Sequence, residues 1–413
     1  MSLFELIGAL ATAIAVFGYI NHKFIKLPDT VGITAMGLLV SLALAIIGRQ
    51  VPGAVHWASD FASHLNLPEV VFHGLLSVLL FAGSLHINIS DLAQQRVPVF
   101  VLSTVGVVLS TVIVGFGTHW LLAVLGIDIA LTYCLLFGAL ISPTDPIAVL
   151  GVLKTAGAPK SLETKISGES LFNDGTGVVA YLVLLGIATG ASEPTFSAVS
   201  LLLAKEVIGA LVVGLAVGYI AFFMLKGVDS YPVEILITLA LATGGYAFAE
   251  RMHVSAPLAV VVMGLVIGNH GARSAMSQKT REHLFPFWEL LDEVLNLVLF
   301  GLIGIKLLSL GAADVSWLAA AALLPVVLLA RFVSVGLPAL ALRPFLTPTP
   351  HAVKVLTWGG LRGGISVALA LSLPPFEGKE LFVVATYAVV LFSLLVQAPT
   401  LGPLLKKLKV CNP

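Results

Sequence analysis

Long apolar runs are the feature of this sequence that most constrains its fold. They recur along the whole chain with only short polar connections, and hydrophobic residues make up 58% of the 413 positions against 11% for charged residues. A helix needs about 20 apolar residues to cross the hydrocarbon core of a bilayer. Since an isolated spanning segment must satisfy its own backbone hydrogen bonds, helices are expected. The sequence therefore predicts an all-α polytopic membrane protein.

Thirteen membrane spans are predicted, and no connection between them is long enough to hold a soluble domain. Their approximate ranges are 3–21, 29–48, 68–87, 97–121, 129–153, 161–190, 198–225, 233–251, 255–269, 285–308, 315–342, 351–373 and 379–405. Residues 1–413 are thus expected to form a single membrane transporter domain, without a soluble regulatory domain.

Lysine and arginine are distributed unevenly over the predicted loops and span ends. With the N-terminus outside, fifteen of them fall on the cytoplasmic side and four fall outside. This bias predicts a multi-pass protein of the cell (inner) membrane with a cytoplasmic C-terminus. The formal net charge of zero argues against a nucleic-acid partner, which leaves the lipid bilayer as the expected surroundings.

The stretch GESLFNDGTG places polar residues inside the predicted span 161–190. Glu169 and Asn173 are four residues apart, as are Ser170 and Asp174, so the two pairs lie on adjacent stripes of a helix. A carboxylate within a membrane costs about 2.5–3.5 kcal/mol even on the milder insertion scales. Two interpretations follow: a buried polar network that locks helix packing, or an ion- and proton-binding site. The presence of two acids favours the second.

The fifth predicted span contains the sequence SPTDP. Pro143 and Pro146 flank Thr144 and Asp145, and two prolines three residues apart are expected to open the helix. Opened backbone in a membrane is tolerated where it is buried in protein or lines a polar cavity. We expect free carbonyl groups there, including that of Thr144, beside the Asp145 carboxylate. Together these oxygens suit a hard cation, whereas a simple proline kink with a capping aspartate is the alternative.

The twelfth predicted span has a matching irregularity. Gly359, Gly360, Gly363 and Gly364 surround Arg362, and each glycine weakens a helix by about 1 kcal/mol relative to alanine. The sequence therefore predicts a second interrupted helix at these four glycines.

Seven spans separate the two interrupted helices, so the chain is predicted to contain two inverted six-helix repeats. Repeat one covers about 3–190, a linker helix about 198–225, and repeat two about 233–405. Interrupted helices at equivalent positions of two repeats indicate the central site of a transporter. Arg362 is expected either to face the C-terminal end of a half-helix or to pair with Asp145.

Arg331 lies in the middle of the eleventh predicted span, far from either end. An arginine stays protonated, so one inside a membrane needs an anionic partner. Glu169 is the expected partner, because it is the acid that remains if Asp174 is the working carboxylate.

Several further residues are weaker candidates. Glu289, Asp292 and Glu293 share one face near the start of a helix, where they either draw cations into a cytoplasmic funnel or form a solvated helix end; the second is favoured. Asn296 is expected to be a satisfied core amide. His86 lies near a span end, where a pH-sensing role is conceivable but not favoured.

Taken together, the motifs resemble the cation/proton antiporter-1 family, which includes the NhaP-type prokaryotic sodium/proton antiporters and the animal sodium/proton exchangers. The resemblance rests on S-P-T-D-P in the fifth span, E-S-L-F-N-D-G in the sixth, the lone Arg331 in the eleventh and G-G-L-R-G in the twelfth. It covers the whole chain, and it implies a core domain that moves against a dimerisation domain in a homodimer.

The resemblance also implies roles for individual residues. Asp174 is the ion- and proton-binding carboxylate, Thr144 and Ser170 offer oxygens, and Asp145 acts through water. Asn173 stands where electrogenic relatives have a second aspartate.

By the same resemblance, Glu169 and Arg331 match a buried salt bridge of the core. Arg362 matches the arginine of the second interrupted helix.

The predicted function is antiport of a monovalent cation against H⁺, not an enzymatic activity and without a cofactor. Na⁺ is the expected cation, Li⁺ a further substrate and K⁺ the alternative. Because Asp174 is the one acid without a proposed partner, one cation should exchange for one proton. The resemblance implies that this exchange proceeds by elevator-type alternating access. A cation channel would need a continuous polar path. An intramembrane hydrolase with Asp145 and Asp174 as its dyad would leave Asn173 and Arg331 without a role.

Overall fold

The protein is described by a computed structural model that covers residues 3–27, 29–47, 70–190, 195–306, 317–343 and 351–410. Within these ranges the chain forms helices joined by turns and loops, and no strand is present. The helices are α1 (Leu3–Ile20), α2 (Asp29–Ile47), α3 (Leu76–Leu85), α4 (Ile89–Gln94), α5 (Arg96–Ser103), α6 (Val105–Val124), α7 (Leu131–Leu140), α8 (Ile147–Ala156), α9 (Lys160–Ala188), α10 (Phe196–Lys226), α11 (Tyr231–Arg251), α12 (Ala256–Val266), α13 (Ala272–Ser274), α14 (Gln278–Lys306), α15 (Trp317–Leu342), α16 (Ala352–Trp358), α17 (Gly364–Leu371), α18 (Lys379–Phe392) and α19 (Ala398–Lys407). Short π-helical segments extend or join some of them (Asn21–Ile25, Val70–Leu75, Ile267–Gly271 and Ser393–Gln397).

The helices have the length and polarity of a polytopic membrane protein, as the sequence predicts. In the described ranges, seven helical segments are long and apolar enough to cross a membrane by length and composition. They are Arg96–Val124, Lys160–Ala188, Val199–Lys226, Tyr231–Arg251, Ala256–Ser274, Leu318–Leu342 and Lys379–Lys407. Other apolar helices, such as α3 and α7, are shorter. The predicted spans 29–48, 68–87, 285–308 and 315–342 each include residues outside the described ranges.

Two extended segments interrupt the helices and cross each other. Residues 141–146 separate α7 from α8, and residues 359–363 separate α16 from α17. The backbone N–H of Asp145 donates to the carbonyl of Leu361 at 2.8 Å, so one broken helix is hydrogen-bonded to the other. The two prolines of the first segment carry no N–H, so they cannot donate helical hydrogen bonds and they favour the break.

Helix α9 lies beside this crossing and carries the polar stretch singled out above. It packs against α5, α7 and α12 and also touches α8 and α17. The side chains of Glu169, Ser170, Asn173 and Asp174 are all buried in this packing. The fold therefore brings the polar part of α9 to the point where both broken helices lose their regular hydrogen bonds.

Apolar side chains cover the outer face of α10. Leu201, Ile208, Val212, Ile220 and Phe223 are all more than half exposed. Such a face is expected of a helix in contact with lipid, because lipid chains are as apolar as the side chains themselves.

Candidate functional site

Arg362 binds the carbonyl groups at the end of α7. Its side chain is 2% exposed, and Nη1 donates to the carbonyl of Ser142 and, at 3.0 Å, to that of Pro143. These carbonyls lack helical partners because the helix has opened. Of the two alternatives drawn from the sequence, the guanidinium therefore faces the C-terminal end of a half-helix, where a positive charge is favoured.

Asn173 and Thr144 form a pair of hydrogen bonds between α9 and the first extended segment. The backbone N–H of Thr144 donates to Asn173 Oδ1 at 3.1 Å, and Asn173 Nδ2 donates to Thr144 Oγ1 at 2.7 Å. The hydroxyl of Ser170 donates to the carbonyl oxygen of Thr144. The opened segment is thus held by two neighbouring turns of α9.

These contacts correct one expectation from the sequence. The opened carbonyls were expected to be free, but those of Ser142 and Pro143 accept from Arg362, and that of Thr144 accepts from Ser170. The reason is that a buried polar group without a partner is costly, so the protein satisfies most of them itself. A carbonyl oxygen has two lone pairs, and one on each atom remains for a further ligand.

Asp145 sits at the crossing itself. Its Oδ1 accepts from the backbone N–H of Ile147 at 2.9 Å, which begins α8 after the proline. A Cβ atom on Gly363 would lie 2.5 Å from Asp145 Oδ2, so only a glycine leaves room for the carboxylate at this position of the second segment. Gly363 in the second segment is therefore needed to make room for the Asp145 carboxylate of the first segment.

Asp174 is the buried acid that keeps its carboxylate free of direct partners. It is 8% exposed and lines a cavity together with Thr144, Asp145 and Ser170. Among the described residues, no hydrogen bond or ion pair involves its side chain. A proton or a cation entering the cavity would find this carboxylate unoccupied.

Glu169 and Arg331 form a buried ion pair. Nη1 of Arg331 lies 2.5 Å from Oε1 and Nη2 lies 3.1 Å from Oε2, and both side chains are buried. Nε and Nη2 of Arg331 also donate to the carbonyl of Leu356, at 3.2 and 2.9 Å. A Cβ atom on Gly360 would collide with this guanidinium. The pair consequently ties α9 and α15 to the end of α16.

The cavity beside Asp174 has a volume of about 560 Å³ and opens between α9, α14 and the crossing segments. Acidic side chains line it, and they extend from Asp174 and Asp145 to the three acids of α14. The residues of α14 on its wall are Glu289, Asp292, Glu293, Asn296 and Leu299. Near its rim, Lys160 pairs with Asp91 at 2.6 Å.

The cavity changes the interpretation of two weaker candidates. Glu289, Asp292 and Glu293 were expected at a solvated helix end; Glu289 and Glu293 are exposed, but α14 begins at Gln278 and all three acids line the cavity beside Asp174. Asn296 was expected to be a satisfied amide, yet its buried Oδ1 has no hydrogen-bond partner among the described residues. Both corrections depend on how α14 packs, which helix periodicity alone does not reveal.

The oxygens that converge here suit a monovalent cation more than a transition metal. The described residues contain no group of three or more histidine, cysteine, aspartate or glutamate side chains arranged to hold a metal ion. The site offers carboxylate, hydroxyl and carbonyl oxygens, which are ligands for hard cations.

Comparison with known proteins places this arrangement in a family. The family model described as "Sodium/hydrogen exchanger, transmembrane" matches residues 12–407. The chain belongs to this family. The resemblance read from the four motifs is therefore confirmed.

Individual relatives of the sodium/hydrogen exchanger family match over nearly the full chain. The Na⁺/H⁺ antiporter NhaP of Pseudomonas aeruginosa is 45% identical over 99% of this chain and 98% of its own length. The Na⁺/H⁺ antiporter NhaH of Halobacillus dabanensis is 34% identical over 97% and 96%. The solved structure of the sodium proton antiporter MjNhaP1 from Methanocaldococcus jannaschii superimposes with a TM-score of 0.78 at 22% identity, covering 99% of both chains. It shows that the fold is shared.

Two buried polar residues in this member of the family escaped the sequence analysis. Ser366 lines the cavity, and its hydroxyl has no hydrogen-bond partner in the described part of the chain. Glu234 is fully buried at the start of α11 and accepts from the hydroxyl of Thr280. A serine in an apolar helix does not by itself indicate a binding site. An acid at the start of a helix is indistinguishable in sequence from an ordinary charge at a helix end.

Proposed function

We propose that this chain is a secondary antiporter that exchanges Na⁺ for H⁺ across the membrane. The observation that carries the proposal is Asp174, a buried carboxylate without a direct partner at the wall of a large acidic cavity. Two full-length relatives are named Na⁺/H⁺ antiporters, which supports Na⁺ as the cation.

Exchange follows from competition for a single carboxylate. Asp174 holds either a proton or a cation, and burial favours whichever form is neutral overall. The empty, charged site would cross the membrane poorly, because an unpaired anion in hydrocarbon is costly. Only the forms with a proton or a cation bound to Asp174 cross the membrane. The movements of the two substrates are therefore coupled without any additional mechanism.

The residues around Asp174 divide between ligands and support. We infer that the carboxylate of Asp174 and the hydroxyl oxygens of Thr144 and Ser170 contact the cation, with Asp145 acting through water. Asn173 uses both ends of its amide on Thr144. Its role in this proposal is to fix the position of the Thr144 oxygens.

The proposed stoichiometry is one cation for one proton. Glu169 is neutralised by Arg331, which binds it through two nitrogen atoms. Both oxygens of Glu169 are engaged by Arg331, so the proposal assigns the exchanged proton to Asp174 alone. The transport cycle is then electrically silent.

The proposed architecture is that of two inverted repeats, about 3–190 and 233–405, joined by the helix at about 198–225. In this arrangement the thirteen expected spans place the N-terminus outside and the C-terminus in the cytoplasm of the cell membrane. We propose that the broken helices belong to a core that carries the site across by an elevator-type movement, within a homodimer.

Purified protein in proteoliposomes tests the proposal directly. A pH gradient, acidic inside, is imposed and monitored with a fluorescent amine, and NaCl, LiCl, KCl or choline chloride is added outside. Na⁺, and Li⁺ as a further substrate, should dissipate the gradient, while choline should not.

Two outcomes would contradict the proposal. Dissipation by K⁺ in preference to Na⁺ would identify a K⁺/H⁺ antiporter. Uptake of radioactive Na⁺ that carries current and needs no proton movement would identify a channel.

A further inference from the structure

The α14 side of the cavity carries an amide that the proposed exchange site does not use. Asn296 is 1% exposed, and its Nδ2 donates to the backbone carbonyl of Asp292 at 2.8 Å. This bond fixes which end of the amide is the oxygen. The oxygen, Oδ1, is buried and has no partner among the described residues, although Asn296 lines the cavity. A buried acceptor without a donor calls for a partner that the described residues do not supply.

A second unsatisfied oxygen lies on the neighbouring helix. Ser366 belongs to α17, which packs against α14, and it lines the same cavity. It is 1% exposed, and its hydroxyl has no partner in the described ranges. A serine within a helix usually donates to a carbonyl of the preceding turn. Ser366 makes no such hydrogen bond, so its hydroxyl oxygen remains available for another partner.

Asp292 supplies a negative charge next to the amide. It lies one turn before Asn296 on α14, and both residues face the cavity. Asp145 lines the same cavity, so two carboxylates contribute negative charge to it. A water molecule alone would satisfy the amide oxygen but would leave these like charges unbalanced. A cation satisfies the amide and the carboxylates at once.

We propose that Asp292, Asn296 and Ser366 form a second subsite for a monovalent cation, through which the ion passes on its way to Asp174. Carboxylate, amide carbonyl and hydroxyl oxygens are the ligands that such a hard cation takes. The subsite holds the ion on the cavity wall and so raises its occupancy beside Asp174. This inference rests on the proposed function, since it assumes that the cation is exchanged at Asp174.

Equilibrium binding separates the two sites. Broadening of the sodium NMR signal by purified protein in detergent measures bound Na⁺ without requiring transport. Asp174→Asn should abolish exchange but retain part of the broadening, and Asp174→Asn/Asn296→Ala should lose the retained part. Equal broadening in the two variants, or none in Asp174→Asn, would overturn the second subsite.

Transport provides an independent test. Asn296→Ala should raise the half-saturating Na⁺ concentration by about fivefold to tenfold and change the maximal rate by less than about twofold, as expected for the loss of one ligand outside the exchange site. A half-saturating concentration within about twofold of wild type would contradict the proposal.

Glu289→Gln distinguishes a subsite from general attraction of cations. Glu289 is an exposed acid on the same wall, so its removal weakens long-range steering, which added choline chloride screens. The effect of Glu289→Gln should therefore vanish at high ionic strength. The effect of Asn296→Ala should persist, because this substitution changes no charge; if it vanishes as well, the subsite is wrong.

A milder variant covers the case in which Asn296→Ala does not yield monodisperse protein. Ser366→Ala in the Asp174→Asn background should also reduce the retained broadening. Its control is Ser334→Ala, because Ser334 is equally buried but its hydroxyl donates to the Arg331 carbonyl at 3.2 Å and does not line the cavity. Equal broadening by Asp174→Asn/Ser366→Ala and Asp174→Asn/Ser334→Ala would contradict the subsite. Retention of exchange by Asp174→Asn would instead overturn the proposed function.

Discussion

Asn173 holds Thr144 by two hydrogen bonds, one in each direction, and so fixes the opened segment of one broken helix to the helix that carries Asp174. Thr144 offers its backbone N–H and its hydroxyl oxygen to a single amide. Since Asn173 does not line the cavity, it acts on the site through Thr144.

Removal of this amide should therefore affect both stability and exchange. Asn173→Ala leaves a buried N–H of Thr144 without an acceptor, which should lower the free energy of unfolding by about 2–3 kcal/mol. Exchange by the folded fraction should also fall, because the Thr144 oxygens lose their position. Thermal unfolding in detergent and proteoliposome flux measure the two effects.

Asn269→Ala is the matched control for Asn173→Ala. Asn269 is a buried amide that donates to Ile87 and accepts from Ile89, away from the crossing. Asn269→Ala should lower the free energy of unfolding without changing the exchange rate per folded molecule. Equal loss of flux in both variants would show that Asn173 has no specific connection to the site.

The ion pair between Glu169 and Arg331 should show strong coupling in a double-mutant cycle. Glu169→Ala or Arg331→Ala leaves an unpaired buried charge and should destabilise the protein by about 3–5 kcal/mol. The double variant should be milder than the sum of the two single variants. Thermal unfolding of all four proteins in detergent tests this. Additive losses would mean that the charges do not stabilise each other.

Glycine at position 363 should be required for exchange because of its contact with Asp145. In Gly363→Ala the new methyl group would lie 2.5 Å from Asp145 Oδ2, so the carboxylate or the backbone must move. Displacement of a group by this amount should reduce the exchange rate on the order of tenfold to a hundredfold. Gly244→Ala is the control, because Gly244 is helical and has no atom within 4 Å of the added methyl group. Similar rates in the two variants would contradict the steric account.

Transport by the wild-type protein should be insensitive to membrane voltage. If Glu169 remains paired with Arg331 and Asp174 alone takes part in exchange, one cation exchanges for one proton and no net charge moves. A potassium–valinomycin potential imposed during pH-driven Na⁺ uptake provides the measurement. A systematic shift of rate or endpoint with voltage would show that a second proton moves, with Glu169 as the first residue to test.

Much of this site can be inferred from the sequence because charged and helix-breaking residues are conspicuous in apolar surroundings. Pro143 and Pro146 mark a break by their chemistry alone. A partnership of Glu169 with Arg331 can be inferred because a lone arginine inside a span needs an anion, and Glu169 is the acid that remains if Asp174 takes part in exchange.

Other features depend on packing between distant segments and leave no local signal. The sequence allows Arg362 two targets, and only the crossing of the broken helices brings it to the Ser142 and Pro143 carbonyls. Asn296 and Ser366 are 70 residues apart, so their common cavity follows from the contact of α14 with α17.

In the proposed exchange, the buried carboxylate of Asp174 carries the proton and the cation in turn. Asp174→Asn keeps the shape of the side chain but removes its titratable charge, whereas Asp128→Asn makes the same change at an exposed loop position outside the cavity. The decisive measurement is Na⁺-dependent proton flux in proteoliposomes containing equal amounts of folded protein. Asp128→Asn should match the wild-type flux, and Asp174→Asn should show no flux above empty vesicles. Flux in Asp174→Asn above about a tenth of the wild-type rate would contradict it.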